Sequence, residues 1–507
     1  MEQIWEDLDS GEIHLRDRWQ FELKSEFVPL PHLKKNTYIQ EFFFFIPNSL
    51  QINKQTYGKA NFYSDQTNLI RYKTPEFTFQ ELISTYNPHS PLSRLQTLSK
   101  EMETKDNREH AEDEIKLFGN IARSTLRTRV REIIQELSQT YSQDDAGKFI
   151  KEIEELCKEI KDLKHAFLIT KDTLLKNWKD SYLQKSFLYV EEFISNCIMH
   201  YLTGLLDAIR LVQKKTFYPA DRMLCEILLE EQKFLEAYVN DSQTIGKQRN
   251  VNNEFILYRN GLLNKYVLDA LLLYTNRFSI DERFQNWIGG LSAGIAMMFY
   301  FLLFVWLGSV FVINSAPFII LTVVFYILKD RIKEWLKSVS YQQAFKFFYD
   351  YITEIDSPDQ KRKLGIIKES FSFLDENKLA EDVKNARNKE FHAILETFQR
   401  PETVLYYKRS VKMNQRLHKF SPRRHELNII FRFNIHRFLN KASEPNETYV
   451  TIDPKTLKLI TMRLPKVYHL NLIIKKTFLQ SDNTIKTELN KLRLVVDKNG
   501  IKRIEQL

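Results

Sequence analysis

Residues 288–328 read IGGLSAGIAMMFYFLLFVWLGSVFVINSAPFIILTVVFYIL, 41 positions without an Asp, Glu, Lys, Arg or His. At about 1.5 Å rise per residue, a single helix of that length spans roughly 60 Å. A bilayer's hydrocarbon core is only about 30 Å thick. The stretch is therefore expected to form a helical hairpin that crosses a membrane twice. Arg277 and Arg283 precede it, and Lys329, Arg331, Lys333 and Lys337 follow it. Positive flanks stay on the cytoplasmic side. Both termini and nearly all of the chain are thus expected in the cytosol, on a multi-pass protein of the membrane (the inner membrane, in a bacterium). The segment Met1 to Asp7 is acidic and lacks an apolar core, so it does not read as a signal peptide.

Two positions suit the turn. Gly308-Ser309 divides the run evenly but leaves Pro317 inside the second helix. Asn314-Ser315-Ala316-Pro317 is the stronger local signal, because Asn or Ser caps a helix start and Pro fits its first turn. It leaves only 11 residues, Phe318 to Leu328, so the second helix must continue through Lys329 and Arg331, their side chains snorkelling to the headgroups. Gly290 and Gly294 form a GxxxG, and Gly289 with Ala293 a second small pair. Such pairs serve close helix packing, either within the hairpin or between copies in a homo-oligomer. No charged residue lies inside the run to carry a proton or an ion. A pore would have only Ser292, Ser309, Asn314, Ser315 and Thr322 to line it.

Outside the hairpin the chain carries enough apolar residues for real cores, with 43% hydrophobic and 27% charged overall. The net charge of +9 suits an anionic partner, and the cytoplasmic leaflet is the nearest one. Cys157, Cys197 and Cys225 stand far apart, which gives neither a zinc motif nor a disulfide framework. Of 13 glycines, four lie in the hairpin and the rest are scattered. No GxxxxGK[ST] or GxGxxG is present, which disfavours the common nucleotide sites and with them the membrane-remodelling GTPases. The eleven histidines, His200 in its apolar helix among them, form no ligand-spaced pair, and no nucleophile elbow appears. Asp144-Asp145 reads as a helix N-terminal cap. No cofactor, metal or catalytic residue is indicated.

Residues 1–98 read as a β-rich N-terminal domain. Trp19, Phe21 and Leu23 alternate with Gln20, Glu22 and Lys24, and Phe42 to Ile46 is apolar on both faces, as in a central strand ending at Pro47. Phe62 to Asp65 and Arg71 to Pro75 read as an edge strand with its turn, or a binding loop. Residues 110–280 read as a cytosolic helical bundle. There Ala146, Phe149, Ile153, Leu156, Ile160, Leu163 and Phe167 form a short heptad seam, better used inside the chain than as an intermolecular coiled coil. Residues 330–400 read as cytosolic helices, 401–425 as a basic linker and 426–507 as a β-rich C-terminal domain with a turn at Asn499-Gly500. The expected fold class is an α+β membrane protein: a two-helix transmembrane hairpin, a helical bundle and two β-rich end domains.

The strongest charge feature is Lys408, Arg409, Lys412, Arg416, Lys419, Arg423 and Arg424, with no acid between Glu402 and Glu426. Beside a membrane it is a candidate site for anionic lipid, each cation contributing about 1 kcal/mol. A solvated linker, or a face docked on the acidic helix at 146–167, accounts for it equally. Nucleic acid is the weakest of these partners. The reading is a non-enzymatic, membrane-anchored scaffold or regulatory protein that binds a protein partner. The alternative is an enzyme with an unrecognised site acting on a lipid or a membrane-proximal substrate.

Overall fold

The computed structural model describes residues 13–139, 146–178, 180–212, 215–242, 252–312, 315–344, 349–358, 362–388, 402–414, 423–424, 426–479 and 484–507. Asp144-Asp145, Asn314, Arg416, Lys419 and the end of the expected helix at 389–400 lie outside them. The protein is α+β, with a helical middle between β-rich ends.

The N-terminal part contributes β1 (Ile13–Asp17), β2 (Gln20–Phe27), β3 (Lys35–Pro47), α1 (Lys59–Asp65), β4 (Gln66–Tyr72), α2 (Phe79–Ile83) and α3 (Pro91–Leu98). The helical middle follows as α4 (Lys105–Gln139), α5 (Ala146–Asn177), α6 (Ser181–Leu211), α7 (Tyr218–Ser242) and α8 (Asn252–Leu268). Next come β5 (Tyr274–Ser279), the hairpin helices α9 (Ile280–Val310) and α10 (Ala316–Ala344), β6 (Tyr351–Asp356), β7 (Lys363–Leu374) and α11 (Glu381–Asn388). The rest is strand: β8 (Glu402–Asn414), β9 (Leu427–Asn434), β10 (Asn446–Ile452), β11 (Leu459–Pro465), β12 (Tyr468–Leu479), β13 (Ile485–Asp497) and β14 (Gly500–Gln506).

The two chain ends build one β body. An antiparallel sheet of eight runs β14-β13-β12-β3-β8-β7-β6-β5, and a sheet of four runs β1-β2-β9-β4. Phe42 to Ile46 lie in β3, between β12 and β8, and all are buried. Strand alternation sends Phe42, Phe44 and Ile46 into the core between the sheets, with Phe21, Phe431 and Phe433. Phe43 and Phe45 face the other way, under Val383 of α11. Each such buried side chain contributes about 1.5–3 kcal/mol. The Asn499-Gly500 turn forms between β13 and β14. Gly500 adopts φ +129°, and any Cβ there would collide with the Arg18 carbonyl, which accepts a hydrogen bond from the Ile501 N–H at 2.7 Å. The first and last strands are thereby tied together.

The heptad side chains Phe149, Ile153, Leu156, Ile160, Leu163 and Phe167 of α5 are buried in one core with α4, α6 and α7, so the seam is used within the chain. That core extends onto one half of the large sheet through Tyr38, Ile367, Val411 and Met413.

Three expectations are corrected. Residues Tyr351–Asp356 and Lys363–Leu374 are strands β6 and β7, where helices were expected across 330–400. The supposed linker at 401–425 contains β8, a central strand of the large sheet. Phe62 to Asp65 belong to helix α1, with Phe62 stacked on Phe371 in the sandwich core at 4.3 Å between ring centroids.

Candidate functional site

β5 and β6 pair antiparallel with Ser279 opposite Tyr351. Everything between them is therefore the loop of a β-hairpin, expanded into two helices that leave the sheet side by side. α10 begins at Ala316, with Pro317 in its first turn, and the Ser315 hydroxyl accepts a hydrogen bond from the Phe318 N–H (3.4 Å). The turn thus lies beside Ser315, the stronger of the two sequence positions.

By length and composition one helix, Gly289–Val310 of α9, is able to cross a membrane, and only 11% of it is buried. The apolar part of α10 ends at Leu328, so the structure supports one crossing helix where two were expected. Large apolar side chains point outward on both helices, among them Met298, Phe301, Leu302 and Trp306 on α9 and Ile320 and Val323 on α10. The helices meet through aromatic rings, Phe304 with Phe318 at 5.7 Å and Tyr300 with Tyr326 at 6.3 Å. Lys329 folds over the Tyr326 ring at 3.9 Å. Among the described residues a Cβ on Gly290 or Gly294 would meet no atom within 4 Å, so the GxxxG is not where α9 contacts the described part of α10.

At the hairpin's foot a polar rung crosses the large sheet. Register places Ser279, Tyr351, Glu369, Arg409, Gln40, Lys476 and Glu488 directly opposite one another in turn, hence on one face. The flanking inward rungs are apolar: Ile367, Val411 and Tyr38 toward the bundle, and Phe371, Tyr407 and Phe42 toward the sandwich core. The rung is the seam between the two cores.

Glu369 accepts hydrogen bonds from the Tyr407 hydroxyl (2.6 Å), Gln66 Nε2 (2.9 Å) and Asn68, and pairs with Arg277 of β5 at 3.2 Å. Arg409 donates to Gln40 at 3.0 Å and to Asn68 Oδ1 at 2.7 Å, and Gln40 donates to Ser25 at 2.8 Å. Arg277 also lies over Tyr351 (4.1 Å) and Tyr63 (5.3 Å). Asp350, one residue before β6, accepts from Tyr63 (2.8 Å), Lys59 (2.5 Å) and the Phe371 N–H (2.7 Å). Burial holds the Tyr407 phenol well above its ordinary pKa, and neighbouring Glu369 adds to this. Burial and then Asp350 do the same to Tyr63. Both phenols therefore stay protonated and act as fixed donors. Burial lowers the Arg409 pKa, opposed by Tyr407 and Glu369. Chemically the arrangement is a clamp: charge and hydrogen-bond capacity are spent internally, on both strands that carry the hairpin.

The basic run is dispersed by the fold. Lys408, Arg409 and Lys412 lie on β8, where Arg409 is buried and Lys408 stands 3.6 Å from Glu41. Arg423 pairs with Glu114 (3.0 Å), and Arg424 with Asp113 (2.6 Å) and the Ala270 carbonyl (2.6 Å). The acidic partner of these two is therefore α4, not the helix at 146–167. His200 is half-buried and edge-on to Tyr201 at 5.0 Å. The polar rung escaped the sequence reading because its members come from seven different strands. The available signal was a single charged residue at an inward position of each strand, Glu369 in β7 and Arg409 in β8.

Comparison with known protein families, with curated proteins and with solved structures found no match.

Proposed function

We propose that the chain is a membrane-anchored binding protein whose hairpin inserts into the bilayer from one face, with the bundle and the β body together on that face. The observation that carries this is the outward apolar surface of α9 and α10, projected from two adjacent strands and covered by nothing else in the described chain. Exposed apolar surface of that extent marks a contact with membrane or another protein. Apolar character all round each helix, basic flanks at both feet and side-chain hydroxyls returned to the helix backbone (Ser309 to the Trp306 carbonyl, 2.7 Å; Thr322 to the Phe318 carbonyl, 2.8 Å) favour lipid.

Depth follows from α10. Ala316 to Leu328 spans roughly 20 Å as a helix. Carrying it across the full core of about 30 Å would also bury Asp330 and Glu334, which lack the long stems that let lysine snorkel. The hairpin thus dips from the cytosolic side, and its apolar turn at Phe311 and Val312 stays inside the far leaflet. The exposed ribbon β10–β11, with Tyr449, Val450, Leu457 and Leu459 all solvent-facing, is the surface offered to a protein partner.

The test uses the full chain in vesicles of brominated lipid. Tryptophan fluorescence should be quenched, and Trp306→Phe should remove most of the quenched component while Trp335→Phe removes little. Equal quenching in the parent and in Trp306→Phe would reject insertion of the hairpin. A thiol placed at Val312 should resist a membrane-impermeant maleimide from both sides, and labelling from the far side would reject the part-depth geometry.

A further inference from the structure

The outer face of the small sheet meets α4 across a cleft of about 590 Å³, within the size range of small-ligand sites. Arg71 ends β4 on that face, opposite Asn428 of β9. Arg123 and Arg127, one turn apart on α4, line the same cleft, with Ser124 and Thr128 beside them. Three arginines thus border one space.

Among the described residues no carboxylate pairs with them. The cleft's carboxylates are engaged elsewhere or stand across it: Glu26 and Glu76 hold Lys73 at 3.1 and 3.0 Å, Glu132 lies 3.7 Å from Arg129, and Glu159 projects from α5. Glu22, whose charge reaches Arg71 from a distance, is taken by Arg432 and by His14 at 3.3 Å. Among the described residues neither Arg71 nor Arg127 has an ion pair or a side-chain hydrogen bond, and Arg71 Nε is buried without a partner. Arg123 reaches the amide oxygen of Asn264, at 3.3 Å, and lies over the Phe193 ring at 5.7 Å. Burial, followed by the charges of Arg123 and Arg127, pushes the Arg71 pKa down to about 10. Native proteins satisfy buried donors, and guanidinium groups do so best with oxyanions.

We infer that this cleft binds the phosphate group of a small phosphomonoester, held by Arg71, Arg123 and Arg127 with the Ser124 and Thr128 hydroxyls. A carboxylate is saturated by one bidentate arginine; three cations with added hydroxyls match a dianion with three terminal oxygens. A nucleic acid would carry further phosphates onto the glutamates that rim the cleft, so the ligand is small. Its body should carry hydroxyl or amino donors, because Asn120 Oδ1 and Glu159 Oε2 are buried acceptors without partners on the same lining. The Arg71 backbone bridges Leu272, just before β5, so an occupied cleft would brace the strand that leads into the hairpin.

The experiment titrates the full chain in neutral detergent with inorganic phosphate, glycerol 3-phosphate and short-chain phosphatidic acid. Chloride at matched ionic strength is the control, and binding is read by calorimetry and by the melting temperature. Saturable binding of a phosphate compound is expected. It should weaken at least about tenfold in Arg127→Gln and be unaffected in Arg131→Gln, which keeps the helix but lies outside the cleft. The unliganded melting temperature of Arg127→Gln should equal or exceed the parent's, since a like charge has gone. Preference for glycerol 3-phosphate or for phosphatidic acid assigns the phosphate to a soluble metabolite or to a lipid headgroup, and either supports the site. No saturable binding of any phosphate compound, or equal losses in Arg127→Gln and Arg131→Gln, overturns it.

Discussion

Helices α5 and α9 are of similar length and both rich in apolar residues, yet they end in opposite environments. In α5 the apolar residues follow a 3,4 spacing and are buried, while Lys151, Glu154, Glu155 and Lys158 face solvent. In α9, beyond Gly289, they occupy every side of the helix and most remain exposed, Ala296 and Leu307 being the buried exceptions. A one-sided stripe needs one covering surface, which a bundle supplies. An all-round apolar helix needs covering on every side, and α10 supplies only one. What completes α5 is inside the chain; nothing else in the described chain completes α9.

Placing one aspartate in each helix should separate the two most sharply. Leu156→Asp puts an unpaired charge into the bundle core and leaves a cavity, a cost above about 5 kcal/mol and enough to unfold a domain of ordinary stability. Leu302→Asp touches no core. Near-ultraviolet circular dichroism in detergent should give the parent's melting curve, while flotation with vesicles should fall by an amount equivalent to about 3–4 kcal/mol of insertion free energy. If Leu302→Asp melted early and floated normally, α9 would be a core helix and the comparison would collapse.

Next in size is the rung at the hairpin's foot. Glu369→Gln leaves Arg277 without its carboxylate and removes the nearby charge that favours the buried Arg409 cation, and should cost about 3–5 kcal/mol in chemical denaturation. Adding Arg409→Met should recover part of that loss, because a matched apolar replacement relieves a buried unpaired charge. Strictly additive losses would mean that the two residues do not act as one network.

The same rung explains what was legible in the sequence. Phe42 to Ile46 betrayed a central strand because both of its faces are apolar. The α5 seam was legible through its unbroken spacing, and the turns at Ser315 and Gly500 through local chemistry. β7 and β8 were missed for one shared reason. Ile367, Phe371 and Phe373 keep period two only if Glu369 is admitted as an inward residue, and Leu405, Tyr407, Val411 and Met413 only if Arg409 is. A charge at an inward position looks like a break until its partner on the next strand is known, and that partner lies some 40 residues away in sequence. The arginine cleft was hidden similarly: Arg71 and Arg127 are unremarkable apart and meaningful only together.

Acid offers a smaller contrast. On the small sheet Glu22 is buried, which raises its pKa, but hydrogen bonds and charge from His14 and Arg432 outweigh burial and bring it from 4.5 down to about 2. A depressed folded-state pKa stabilises above the unfolded value and is lost as pH falls. The contribution, on the order of 3 kcal/mol, is therefore complete above pH 4.5 and disappears toward pH 2. Glu22→Gln should melt lower at pH 7 and show a flatter loss across that window. The hairpin contains no Asp, Glu, Lys, Arg or His from Ile288 to Leu328, so flotation should stay constant while the body destabilises. Parallel pH curves for the two properties would show that attachment runs through the body and not through α9.

The smallest expected effect tests whether α9 has any protein partner on its glycine face. In a bundle helix a small residue is held in place by its neighbours: a Cβ on Gly119 of α4 would touch Val190 and Val267, each at 3.1 Å. Gly119→Leu should therefore destabilise the bundle by about 1–3 kcal/mol. Gly290 and Gly294 meet nothing within 4 Å, so Gly290→Leu with Gly294→Leu should leave the melting curve of the monomeric chain unchanged. The double change replaces one lipid-compatible surface by another, and flotation should hold or rise slightly. Light scattering in detergent supplies the deciding measurement. If the parent is monomeric and the variant identical, the glycine face meets only lipid and the contrast with α5 is complete. If the parent is an oligomer that the two leucines dissociate, a second copy covers that face, since small residues one turn apart admit a close helix neighbour. The hairpin would then be completed partly by lipid and partly by itself.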